Sequence, residues 1–269
     1  MPELRQKESA SRNLNAAPQW LAVFQTDLSG LVGERRTLWL GLVQLLPIVA
    51  AVLLVFWAGL DPLSVYSTLV EQVVFPFFVP LMAIFFGAPV LVDEIERQTL
   101  TYLTLRPISK PLLYLGKWSA GATIAEGLVL VPLTAMVVIY LAGGGTLGGS
   151  GLDLGRTFLS ALLGTAAYAA IFAALGALFA RSIIASVLYY IFFDLVMGAI
   201  PVLKLATIQY HVANIAGLSS GPEGGMAGML LGGGSLSVSW WVSALLLVLF
   251  VGATVAVGSL IFGNRQYHM

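Results

Sequence analysis

Apolar residues gather into six runs along the chain, at about 38–60, 73–92, 118–142, 157–180, 183–203 and 240–262. Each meets the roughly 20 residues that an α-helix needs to cross a bilayer core. The pattern therefore predicts an all-α integral membrane protein with six transmembrane helices. Ahead of the first run the chain is amphipathic instead. Across 19–36, Trp20, Phe24, Leu28, Leu31 and Val32 recur at helical spacing, while Gln25, Thr26, Asp27, Ser29 and Arg36 fall mostly on the other side. Such a helix lies in the headgroup plane, with Trp20 as its interfacial anchor. Gly30, Gly33 and the cluster Glu34-Arg35-Arg36 separate it from the run that follows. Residues 1–18 read as a solvated, disordered tail and 37–269 as the six-span domain.

Prolines and glycines modify this picture. Pro47, Pro76, Pro80, Pro89 and Pro132 sit inside or beside the runs and predict kinks whose freed carbonyls are satisfied by neighbouring helices. The second run holds three of them and Gly87, and is expected to be the most irregular. The connection 143–151 is a flexible glycine-rich linker. The segment 204–239 is longer; Tyr210, Val212, Ile215 and Leu218 predict a short interfacial helix there, placed to cap the outer end of a pathway.

Composition agrees with the runs. The chain is 58% hydrophobic and 10% charged, with mean hydropathy +0.92, against roughly 25% charged residues in soluble domains. A net charge of zero gives no electrostatic footprint for nucleic acid. Without cysteine there is no disulfide, thiolate metal site or cysteine nucleophile, and two histidines are too few for a histidine metal cluster. The polar N-terminus, with no apolar core close behind Arg12, is not expected to be a cleavable signal.

Charge sets orientation. Six crossings put both termini and the connections after runs two and four on one side, with 11 of the 13 lysines and arginines; only Arg156 and Lys204 fall on the other. The positive-inside rule places the richer side in the cytoplasm. The expected location is the cell membrane, multi-pass, with both termini cytoplasmic.

Signatures of catalysis are missing. Gly143-x-Gly145-x-x-Gly148 spells a dinucleotide fingerprint but follows a membrane run rather than a strand. Gly116-Lys117 is followed by Trp118 and has Pro111 where a phosphate-binding loop needs glycine. No catalytic residue, metal ligand or cofactor site is expected in this chain. Glu126 and Asp194 lie well inside predicted spans, where a carboxylate costs on the order of 3 kcal/mol or more. They mark a pathway contact, a proton relay, or packing through a hydrogen bond to a neighbouring helix. Ala169, Ala173 and Ala177 form a small-residue stripe suited to close helix packing.

The stretch from Asp93 to Trp118 is the densest in charge, carrying seven of the 26 charged residues. Asp93, Glu94 and Glu96 open a segment free of glycine and proline, and Arg106 closes it, as a helix dipole favours. Pro107 ends the helix, because the residue before a proline avoids the α region. Ser109, Lys110 and Pro111 then suit the cap and first turn of the next helix. Ile95, Leu100, Tyr102 and Leu103 give the short helix an apolar side to fill a cleft on a partner, with Arg97 among its charges.

The run Asp93-Glu94-Ile95-Glu96-Arg97-Gln98-Thr99-Leu100, continued by Leu105-Arg106-Pro107-Ile108-Ser109-Lys110 and Leu113-Tyr114-Leu115-Gly116-Lys117, resembles the hallmark of ABC-2 type permeases. Gln98 stands where that family usually has glycine. Gly33-Glu34-Arg35-Arg36-Thr37-Leu38 is similar to the family's sequence after its elbow helix. The resemblance implies the membrane subunit of an ABC exporter, with 19–36 as the elbow helix (Trp20, Phe24 and Leu28 on its apolar side) and a coupling helix within the loop 93–117. It further implies docking of a separate ATPase through Asp93, Glu94, Glu96, Arg97, Leu100, Leu103 and Arg106. ATP and magnesium would sit in that partner, two copies of which would serve two permease chains, a homodimer, in membrane lipid. The substrate would be hydrophobic or amphipathic. The alternative from another class is a stand-alone proton-coupled transporter or channel using Glu126 and Asp194.

Overall fold

The computed structural model describes residues 19–89, 110–146, 153–179, 181–200, 203–217 and 238–264. The coupling segment 93–109, the tail 1–18 and most of the second half of the outer segment lie outside the described residues. Eight helical segments make up the rest: α1 (Gln19–Val32), α2 (Arg35–Trp57), α3 (Pro62–Gly87), α4 (Lys110–Ala142), α5 (Leu154–Leu178), α6 (Ser182–Val196), α7 (Ile208–Ala216) and α8 (Trp240–Asn264). Five of them, α2, α3, α4, α5 and α8, are long and apolar enough to cross a membrane.

Two helix boundaries differ from those the apolar runs predict. The fifth run, expected over 183–203, is helical only to Val196, with a 3-10 turn at Met197–Ala199. Ile200 turns extended (φ −98, ψ 118), as a residue before proline must, so hydropathy overstated the helix. That leaves α6 as a 15-residue apolar helix, shorter than the five candidate spans among the described residues. Ser182 lies beside Gly176 at the end of α5, and Asp194 meets the start of α7.

The second run begins earlier than expected, at Pro62 rather than at residue 73. Asp61 accepts a hydrogen bond from the Ser64 N–H at 2.9 Å, and Pro62 sits in the first turn, the favoured order of cap and proline. Ser64, Ser67, Thr68 and Gln72 had hidden this outer half from the hydropathy pattern. The helix is irregular where expected, with a π-helical stretch at Val70–Phe78 containing Pro76, whose carbonyl accepts a hydrogen bond from the Tyr190 hydroxyl. Pro132, by contrast, sits within a continuous α4.

Helix α5 is the axis of the bundle, packed by α3, α4, α6, α7 and α8. Ala169, Ala173 and Ala177 are wholly buried on it. A Cβ at Gly87 would stand 3.0 Å from the Ala169 backbone, so α3 and α5 touch backbone to backbone, as small-residue stripes allow in membranes. The outward faces of α2, α6 and α8 are lined with large apolar side chains such as Leu46, Trp57, Leu188, Phe192, Leu249 and Leu260. An apolar surface of that extent belongs in lipid or against another chain.

Candidate functional site

Residue 110 joins the coupling segment to α4, and the end of the bundle around it is tightly assembled. We call it the loop end. Helix α1 stops at Val32, and Gly33 and Glu34 separate it from α2, so Leu31 and Val32 do not prolong the first span. It lies across the first turns of α4. The contact is made possible by Gly116: a Cβ there would stand 2.8 Å from the Val23 side chain and 2.9 Å from the Trp20 carbonyl oxygen. The next residue, Lys117, pairs its Nζ with Asp27 Oδ2 at 3.0 Å. The lysine side chain is only 8% exposed, the aspartate 27%.

The same turns of α4 hold α8. Tyr114 is fully buried, lies against Gly258 and places its ring 6.4 Å from that of Phe262. Lys110 Nζ donates to the Gly263 carbonyl at 3.3 Å. Val23, Tyr114, Ala170, Ala173, Val255 and Phe262 form one apolar cluster beneath these polar links. Thus α1, the start of α4 and the end of α8 are one block, into which the coupling segment feeds. Of the elbow residues singled out by sequence, Trp20 is exposed, while Phe24 and Leu28 are half-buried; Trp20 and Phe24 pack at 6.5 Å between ring centroids. The docking residues Asp93, Glu94, Glu96, Arg97, Leu100, Leu103 and Arg106 lie outside the described residues.

Sequence reasoning read Gly116-Lys117 as a motif and a negative test for a phosphate loop. It missed their local work, which only the long-range pairing of α1 with α4 discloses.

At the opposite end, the outer segment forms the expected short helix, α7. Its two ends are complemented by opposite charges from different spans. At the N-terminus, Asp194 of α6 accepts from the Gln209 N–H at 3.2 Å; at the C-terminus, Arg156 of α5 donates from Nε to the Ile215 carbonyl at 3.0 Å. Both placements follow the helix dipole. Arg156 also lies 5.0 Å over the Trp240 ring, tying α8 in. Between the clamps Val212 is fully buried, and a Cβ at Gly164 of α5 would stand 2.6 Å from it. Asp194 thus caps a neighbouring helix, and no hydrogen bond among the described residues links it to Glu126.

His211 fixes α7 to α8. Its Nε2 faces the Leu205 carbonyl at 3.0 Å and its Nδ1 faces Ser243 Oγ at 3.1 Å. A carbonyl only accepts, so Nε2 carries the proton and Ser243 donates to Nδ1. Asn214 Nδ2 donates to Ser243 Oγ and to the Val238 carbonyl, each at 2.7 Å. Burial holds the imidazole below its ordinary range, since a charged ring would turn Nδ1 into a donor facing a serine already engaged. A histidine with a depressed pKa binds fewer protons folded than unfolded. Its stabilisation is therefore complete above about pH 6.5 and falls as the pH drops below that value. The charged groups on the surrounding elements are Asp194, Arg156, Lys204 and Glu71. The protection of the α7 amides, taken relative to the intrinsic exchange rate at each pH, is expected to fall between pH 7.5 and pH 5, and His211→Gln to flatten that dependence. An unchanged slope in the variant would exclude His211 as its source.

Three descriptions now meet: among the described residues, a helical bundle with five helices long and apolar enough to cross a membrane, a loop-end block beside a charge-dense segment, and a short helix capped at both ends. No match was found among curated proteins. A family model described as "ABC-2 family transporter protein" matches residues 34–266. That match spans nearly the whole described bundle, so the protein is a multi-pass membrane permease subunit belonging to the ABC-2 transporter family.

Proposed function

We propose that this chain is the membrane half of an ATP-driven exporter of hydrophobic or amphipathic substrates. Each chain docks one separate ATPase subunit through 93–109, two chains pair as a homodimer, and α6 supplies a sixth crossing beside the five long spans. ATP and magnesium are held by the ATPase. The cytoplasm is then on the loop-end side, as the excess of lysine and arginine there requires, and α1 lies along that membrane surface as the elbow.

The observation that carries this reading is the block at the loop end. A coupling segment does work only if what it pushes cannot yield locally. The segment feeds α4, a helix of 33 residues, about 50 Å long at 1.5 Å per residue. Gly116, Lys117, Tyr114 and Lys110 bind its first turns to α1 and α8. Closure of an ATPase pair against 94–105 would therefore displace α1, α4 and α8 together and tilt the bundle, opening a pathway at the contact between the two permease copies.

Membership of the family implies an ABC ATPase partner; the test is whether this chain has one. Purified through a tag in mild detergent, it is expected to bring down a protein with the G-x-x-x-x-G-K-[ST] phosphate loop, and its transport in vesicles to require ATP. Transport without nucleotide, driven by a pH gradient, would overturn the proposal in favour of a stand-alone transporter.

A further inference from the structure

Positions 116, 120, 123, 127, 134 and 138 share one face of α4 by helical periodicity. At Gly116 and Ala120 this face is buried, with α1 lying against Gly116. Above α1 it is open: Thr123, Gly127, Thr134 and Val138 are exposed, and a Cβ at Gly127 would meet nothing within 4 Å. Glu126 flanks this stretch, half-buried, with no hydrogen bond or ion pair among the described residues. It lies near the middle of a 33-residue helix, far from either end of the span.

The composition of this face differs from the others. The exposed sides of α2, α6 and α8 are leucine, isoleucine, valine, phenylalanine and tryptophan, which hydrocarbon solvates well. Here two threonines, a glycine and a carboxylate stand among the exposed Val131 and Val138. Thr123 and Thr134 turn their hydroxyls onto their own helix, to the Ser119 and Leu130 carbonyls, which leaves the half-buried Glu126 as the ionisable side chain of this stretch. A carboxylate at this depth is retained against a strong desolvation cost when something compensates it. A cation compensates a carboxylate by pairing with it, and a molecule that reaches it from the bilayer must itself be apolar. A second copy meeting this face about a twofold axis would bring carboxylate toward carboxylate, so charge favours the small cation.

We propose that the face of α4 formed by Thr123, Glu126, Gly127 and Thr134 binds a lipophilic organic cation, which pairs with Glu126 after entering from the leaflet over α1. This names the substrate class of the pathway and rests on reading the chain as the permease. The open space at Gly127 admits the apolar body, and the shelf of α1 at Gly116 marks the lower boundary of the site.

The experiment uses the full chain in nanodiscs and a pair of probes of one shape and opposite charge, tetraphenylphosphonium and tetraphenylborate. Wild-type protein is expected to show saturable binding of the cation and none of the anion. Glu126→Asp should keep it, Glu126→Gln should weaken it by about tenfold or more, and Gly127→Phe should weaken it with the charge intact. Undiminished cation binding by Glu126→Gln, or equal saturable binding of the anion, would overturn the assignment. Absence of any saturable component in wild type would leave lipid as the occupant and overturn it too. Loss of self-association in Glu126→Gln, with no saturable cation binding in wild type, would make the face a contact between copies. Failure to bring down an ATPase would count against the exporter reading alone, because this binding is measured without one.

Discussion

Replacing Gly116 with isoleucine is expected to stop transport while leaving the ATPase bound and hydrolysing. Even the first added carbon would stand 2.8 Å from Val23 and 2.9 Å from the Trp20 carbonyl oxygen. The side chain can adjust, but the carbonyl belongs to the backbone of α1 and can move only if the helix does. Overpacking of this kind typically costs about 1–3 kcal/mol, enough to lift α1 from α4 and part Lys117 from Asp27. The coupling segment itself is unaltered, so docking should persist. Transport by the reconstituted complex should fall by about tenfold or more at a near-normal rate of ATP hydrolysis, with Gly116→Ala intermediate. A fully active isoleucine variant would show that α1 need not travel with α4.

The second large effect is an asymmetry within the Asp27–Lys117 pair. Asp27→Asn leaves a buried ammonium without the carboxylate at 3.0 Å. Breaking a fully buried pair costs about 3–5 kcal/mol; because Asp27 still reaches solvent, we expect roughly 2–3 kcal/mol. Lys117→Met leaves behind the more exposed partner, which water can solvate, and places an apolar chain of similar length in an apolar site. Its cost should be about 1 kcal/mol or less. The double variant should resemble Lys117→Met rather than the sum, a coupling that a thermal double-mutant cycle in detergent reads directly. Equal effects of the two single changes would mean that the pair is screened and contributes little.

Much of this arrangement is legible in the chain. The runs of about 20 apolar residues locate five long helices, the break at Gly33 separates α1 from α2, and the alanine stripe at 169, 173 and 177 anticipates the close contact of α3 with α5. What periodicity cannot give is pairing between distant segments. Gly116 looks like any helical glycine until Val23 is laid over it, and nothing in the sequence pairs Arg156 in a connection with Asp194 in an apolar run until α7 is laid between them. Hydropathy also misjudged two boundaries for opposite reasons. Polar residues hid the outer half of α3, although Asp61-Pro62 announces its start. In α6 apolar residues continue past the helix, although Pro201 announces its end.

The proposed driving contact lies in the segment between α3 and α4, and the block at the start of α4 would receive its push. The most direct measurement is recovery of the ATPase subunit with tagged permease carrying Glu94→Lys with Glu96→Lys, or Leu103→Asp, at wild-type levels of membrane insertion. The account predicts that the wild-type chain retains the ATPase and that both variants lose it. Undiminished recovery with either would contradict it.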